Sequence, residues 1–146
     1  MNEIDKRQIR ELIAKAMEML NYSYTPYSHW KVGAALLSFD GKIWGGCNIE
    51  NAAFTPTNCA ERTAFFKAIS EGESHFTAIA IVGGHEGLVD SFCSPCGVCR
   101  QVMMEFCNPE TFRIITAKSV DEYRIKTLRE LLPEGFGPVD LGQPAI

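Results

Sequence analysis

No segment of the 146-residue chain approaches the roughly 20 consecutive apolar residues that a membrane helix needs, which argues against a spanning role. The opening run MNEIDKRQIR also lacks the apolar stretch of a secretory leader, so a reducing, cytoplasmic setting is expected. No basic run is present. With 14 Lys and Arg against 18 Asp and Glu, the net charge is -4, and nothing offers a track for a phosphate backbone. Long nucleic acid is therefore not an expected partner. Internal repeats and low-complexity stretches are absent too, and 146 residues are too few for two ordinary domains, so residues 1–146 read as one.

What is present is ordinary for a soluble domain: 46% hydrophobic and 22% charged residues. Six cysteines stand out against that background. In a reducing compartment they read as metal ligands, catalytic groups or core residues rather than as a disulfide framework.

Ile9, Leu12, Ile13, Ala16, Met17 and Leu20 recur at helical spacing, which predicts an amphipathic helix over 4–20. KVGAALLSF and KIWGGCNIE flank Asp40-Gly41, a strong hairpin signal, and predict two antiparallel strands. CAERTAFFKAISEG has a helical pattern closing on Gly72, with Asn58 as the expected cap. FTAIAIVGG reads as a third strand. Ser94-Pro95 before CGVCRQVMMEF predicts a helix over about 95–106, with serine as cap and proline in the first turn. FRIITA and EYRIKT complete a set of about five strands, and LRELL a helical turn. Helices interleaved with strands after a hairpin imply a layered α/β fold with a mixed sheet.

Cys96 and Cys99 are three apart at a predicted helix start, so both thiols share one side of its first turn. Cys59 stands at another helix start, where the partial positive charge favours thiolate. Three thiols from two helix ends can share one ion. A Cys-x-x-Cys pair also suits a redox couple or half of a structural zinc site, and the count of protein ligands separates a closed site from a catalytic one. Cys93, read as a strand-end residue, is the cysteine that could add a fourth ligand. Glu61 admits two readings as well. Asn58-x-x-Glu61 has the form of a capping box, yet a carboxylate two residues past a thiolate can serve as acid and base beside a metal.

NCAER followed by SPCGVCR resembles the zinc-dependent deaminase signature, a His or Cys, x, Glu element followed by Pro-Cys-x-x-Cys. With YSHWKVGAA, GGCNIENAAF and ELLPEGFGPVDL, the chain is similar from about Tyr27 to Leu141 to the small homotetrameric cytidine deaminases of pyrimidine salvage. The resemblance implies a three-layer α/β/α fold, one zinc per subunit held by Cys59, Cys96 and Cys99, and Glu61 as proton shuttle. It gives Asn48 and Glu50 the ribose hydroxyl and the Ala60 N–H the pyrimidine carbonyl. Arg62 becomes the cation offsetting the thiolate charge, against the plainer reading of a solvated helix arginine. Trp30 stands where phenylalanine is usual beside the base, and Phe54 where tyrosine is common. Phe136 resembles the aromatic that reaches a neighbouring subunit's pocket, so active sites would be shared within a homotetramer.

The reaction so implied is hydrolysis of cytidine and deoxycytidine to uridine and deoxyuridine with release of ammonia. Three rivals remain: a deaminase of a cytosine nucleoside antibiotic, an editor of cytosine in RNA or DNA, and a non-catalytic structural zinc or thiol redox protein. The acidic charge disfavours the editor.

Overall fold

The computed structural model describes residues 3–146. Helix α1 (Lys6–Met19) starts two residues later than the apolar period suggests, because Asp5 caps it. The Asp5 carboxylate accepts from Gln8 N at 2.8 Å, and the Gln8 side chain accepts from Asp5 N at 3.1 Å, closing a capping box. A short 3-10 turn, Leu20–Tyr22, ends the segment.

Strands β1 (Trp30–Ser38) and β2 (Ile43–Cys47) form the expected antiparallel hairpin. Ser38 N donates to Lys42 O, leaving Phe39, Asp40 and Gly41 as a three-residue loop. Gly41 takes φ 89°, the left-handed position that such a loop reserves for glycine. Then follow α2 (Ala60–Ser70), β3 (Phe76–His85), α3 (Gly97–Phe106), β4 (Arg113–Ser119), β5 (Glu122–Thr127), α4 (Leu128–Leu131) and a 3-10 turn at Pro138–Leu141.

The five strands make one mixed sheet in the order β2-β1-β3-β4-β5. β1 is antiparallel to both neighbours, β3 and β4 are parallel, and β4 and β5 are antiparallel. The parallel pair requires a crossover, and α3 supplies it. Alternation along the strands sorts the core into two layers. Ala34, Leu36, Ile79, Ile81 and Ile114 pack with α2 and α3 around Phe65 and Met103, whereas Ala35, Leu37, Ala78, Ala80 and Val82 pack with α1. The fold is therefore the expected α/β/α sandwich.

Two glycines set how closely helices approach the sheet. A Cβ on Gly33 would lie 2.0 Å from Ala16 O of α1. One on Gly46 would lie 2.3 Å from Ala60 O and 2.6 Å from Ala64 N, so only glycine lets the first turn of α2 rest on β2. That seating fixes where the residue preceding Ala60 must stand.

Candidate metal and active site

That residue is Cys59. It, not Asn58, is the N-cap of α2, with φ -75° and ψ 156° and no side-chain bond to the helix amides. Asn58 is unavailable as a cap because its backbone pairs both ways with Ile49, at 2.9 Å each, and its amide donates to Thr63 Oγ1 at 3.1 Å. The Asn58 to Glu61 capping box therefore does not form.

α3 departs from expectation in the same way. It begins at Gly97 with Cys96 as N-cap, so Ser94 and Pro95 lie outside it. The Cys96 sulfur takes the role expected of the serine and accepts from Cys99 N at 3.4 Å. Both helix starts thus place a sulfur at the positive end of a helix, where thiolate is favoured.

The three sulfurs converge. Cys59 Sγ lies 3.7 Å from Cys96 Sγ, and Cys96 Sγ lies 3.5 Å from Cys99 Sγ. A tetrahedral zinc with bonds of about 2.3 Å separates its sulfurs by about 3.8 Å, so the spacing and the soft donor set both fit that metal. Among the described residues no other Cys, His, Asp or Glu joins the cluster, so three protein ligands are offered and not four. Cys93 does not join. It is also not at a strand end: β3 stops at His85, and Cys93 lies in the irregular run before α3, packed against Gly83.

Glu61, in the first turn of α2, is 4% exposed and sits outside the ligand group. Burial and then the Cys59 sulfur push its carboxyl up to about 7, with Arg62 among the groups opposing the rise. Cys59 is brought down to about 5, chiefly by hydrogen bonding with Cys99 and then by Arg62 and Cys96. Cys99 moves the other way because that same bond, together with burial, keeps its proton in place. In the metal-free cluster one thiolate, Cys59, is therefore the favoured anion. Arg62 Nη2 donates to it at 3.3 Å, which rules out the solvated-arginine reading. Burial disfavours the Arg62 charge, but the Cys59 and Cys99 sulfurs outweigh that and raise its pKa.

Ala60 is fully buried, and as the first residue of α2 its N–H has no intrahelical acceptor. Asn48 and Glu50 are more occupied than expected. Asn48 accepts from Val32 N at 2.9 Å and donates to Trp30 O at 2.7 Å, continuing the sheet pairing past β2 with its side chain. Glu50 accepts from Tyr27 N at 3.0 Å, from Ser28 N at 3.1 Å and from Ser28 Oγ. The Ser28 hydroxyl bond comes first among the effects holding its carboxyl below the usual range. Tyr27 and Ser28 had no role assigned from sequence, and their only signal was their place in PYSHW, in the turn leading to β1.

Glu50 and Phe54 line a cavity of about 450 Å³ with Tyr27, Ser28 and Thr57. Trp30 is 39%, Phe136 59% and Phe54 73% exposed, so these aromatics lack within this chain the packing that would bury them. Phe54 also holds φ 62°, an uncommon backbone for a phenylalanine. Phe136 lines neither that cavity nor a second one of about 520 Å³ between the end of α3 and the C-terminal residues, which contains none of the three cysteines.

Residues 6–115 match the family described as the cytidine and deoxycytidylate deaminase zinc-binding region. The chain belongs to this family. It is 48% identical to a cytidine deaminase of Sporosarcina psychrophila, over 94% of this chain and 97% of the relative. It is 38% identical to a probable cytidine deaminase of Dictyostelium discoideum, over 94% and 90% of the two chains. The crystal structure of cytidine deaminase from Burkholderia pseudomallei superposes with a TM-score of 0.78 at 42% identity, over 86% of this chain and 97% of that one. The crystal structure of the Mycobacterium tuberculosis cytidine deaminase gives 0.76 at 36%, over 92% and 99%. Membership in a zinc-binding family agrees with the sulfur spacing. Zinc is the cofactor, and the cysteine cluster can hold it. No helix among the described residues is long and apolar enough to cross a membrane.

Proposed function

We propose that this chain hydrolyses cytidine and deoxycytidine to the corresponding uridines with release of ammonia, in pyrimidine salvage in the cytoplasm. The observation that carries the reading is a buried carboxyl, Glu61, beside three convergent sulfurs that leave the metal short of a fourth protein ligand. Cys59, Cys96 and Cys99 hold the zinc, which supplies the Lewis acidity that makes water reactive at neutral pH.

The remaining work falls to the protein. Glu61 accepts a proton from the attacking water and passes it to N3 of the cytosine; it then takes the proton of the new C4 hydroxyl and gives it to the amine, so that the C4–N bond breaks, ammonia leaves and the C4 carbonyl forms. Burial suits it to this exchange, because it disfavours the ionised carboxylate and moves the group from its ordinary acidic range toward physiological pH. The Ala60 N–H donates to the pyrimidine carbonyl. Asn48 and Glu50, already pinned to the backbone of residues 27–32, present their remaining hydrogen-bonding capacity to the ribose. Arg62 holds the Cys59 thiolate and offsets the charge of the cluster. Trp30 flanks the base. Phe54 and Phe136, exposed here, meet neighbouring subunits of a homotetramer.

Ultraviolet assays on cytidine, deoxycytidine, deoxycytidylate and a short single-stranded oligonucleotide test the assignment. Turnover of the two nucleosides is expected to exceed that of the nucleotide and the oligonucleotide by at least tenfold. Equal use of the oligonucleotide, or no nucleoside turnover by zinc-loaded protein, would overturn it.

A further inference from the structure

The path from β3 to the metal cluster is thinly tied. Among the described residues no backbone-to-backbone hydrogen bond involves 89–95: the last before the run is Leu88 N to His85 O, and the next after it is Arg100 N to Cys96 O. The middle of the run is held by side chains. Phe92 lies beneath the Lys118 ammonium at 4.8 Å and the Arg124 guanidinium at 3.9 Å, and Cys93 packs so closely over Gly83 that a Cβ there would lie 2.8 Å from its sulfur. Neither contact reaches Pro95, the residue next to Cys96. One hydrogen bond does: Arg100 Nε donates to Pro95 O at 2.8 Å. Through Nη1 the same guanidinium donates to Leu131 O, at the end of α4.

The three sulfurs differ in how they are secured. Cys99 is 1% exposed and lies within α3. Cys59 follows the doubly bonded Asn58–Ile49 bridge, and its carbonyl accepts from Thr63 N at 3.0 Å. Cys96 has the matching bond on its helix side, its carbonyl accepting from Arg100 N at 3.0 Å, but it is exposed and the run before it has no backbone bonds. Its own side chain is not packed, and in the run before it only Pro95 is buried.

We propose that Arg100 is a positioning residue of the metal site, setting the approach of Cys96 through the Pro95 carbonyl and bracing that approach against α4 through Leu131. The residue type suits the task. Arg100 is the fourth residue of α3, and helical side chains lean toward the N-terminus, which carries its guanidinium back past the cap. Pro95 O lies before the helix and is free of the helical ladder. A planar fork serves two separate carbonyls with two fixed donors, whereas a lysine ammonium is a single point. Groups that orient metal ligands from behind typically govern affinity by 10-fold to 100-fold.

The inference rests on the three cysteines holding zinc, and the test separates the two claims. Zinc affinity of the intact protein is measured by competition with a chromophoric chelator, together with the thiolate-to-metal absorption of the cobalt-substituted protein and the melting temperature with and without metal. The wild type is expected to bind one zinc per chain; a wild type that binds none overturns the site itself. Arg100→Gln is expected to weaken zinc binding by about 10-fold to 100-fold and to alter the cobalt spectrum. Arg100→Lys, which keeps a donor and the charge, is expected between the two and serves where the glutamine variant does not fold. A residue that only staples α3 to α4 would lower both melting temperatures equally. Zinc affinity within twofold of wild type and an unchanged cobalt spectrum in the folded variant would therefore overturn the proposal, whatever the melting temperature does.

Discussion

Glu61→Gln changes one atom type in a site that solvent scarcely reaches. The side chain is 4% exposed, so neither buffer nor bulk water can stand in for the lost base. The amide keeps the shape and cannot exchange protons at neutral pH. Acid-base groups contribute typically 10²-fold to 10⁴-fold, so kcat on cytidine should fall by that factor, about 2.7–5.5 kcal/mol of barrier. Zinc content should stay at one per chain, because Glu61 is not in the ligand group. The metal-free fold should gain stability. Burial raises the acid from 4.5 to about 7, so the folded state carries a penalty for the ionised form that is absent below pH 4.5 and complete above 7. At pH 8.5 the glutamine variant, free of that penalty, should be more stable by up to ~3 kcal/mol, and at pH 5 the gain should shrink to below ~1 kcal/mol. The assays are ultraviolet loss of cytidine, metal analysis, and urea unfolding of metal-free protein at the two pH values. Retention of more than a tenth of wild-type kcat by zinc-loaded Glu61→Gln would remove the residue from the proton-transfer path.

Gly46→Ala should push the first turn of α2 off β2, because the added Cβ meets backbone at 2.3 Å and 2.6 Å rather than a movable side chain. A cost of about 1–3 kcal/mol is expected, read as a melting temperature lower by roughly 2–12 °C, and an unchanged melting curve would contradict the packing argument. Phe136→Ala should raise KM for cytidine several-fold with little loss of zinc, and light scattering should give about four times the 16.2 kDa chain mass for the wild type. A monomeric mass with full activity would show that the exposed aromatics meet no neighbour.

Much of this was legible in the residues because the signals were local or strongly periodic. The α1 stripe of Ile9, Leu12, Ile13 and Ala16 and the Asp40-Gly41 hairpin appear where the pattern placed them. So do the three sulfurs, since two cysteines three residues apart at one helix start and a third at another leave the thiols little choice of direction. The two caps beside the cysteines were misread because a residue's preference for the cap does not show which other groups compete for it. Asn58 is claimed by Ile49 and Thr63, and α3 begins only at Gly97, two residues too late for Ser94 to cap it, so in both helices the cysteine is the cap. Cys93 was misplaced because nothing in the order of residues reveals that the chain after β3 folds back over Gly83. The extra burden on Asn48 and Glu50, each bonded to backbone about twenty residues away, was invisible for the same reason.

The central claim is that Cys59, Cys96 and Cys99 together hold one catalytic zinc. Stripping the metal with a strong chelator, measuring cytidine turnover, and restoring stoichiometric zinc tests it most directly, with Cys96→Ser run alongside. The account predicts one zinc per chain, loss of turnover on stripping, recovery on addition of one equivalent, and failure of the serine variant to recover at that equivalent. Full turnover in protein shown to contain no metal, or full recovery by Cys96→Ser at one equivalent, would contradict it.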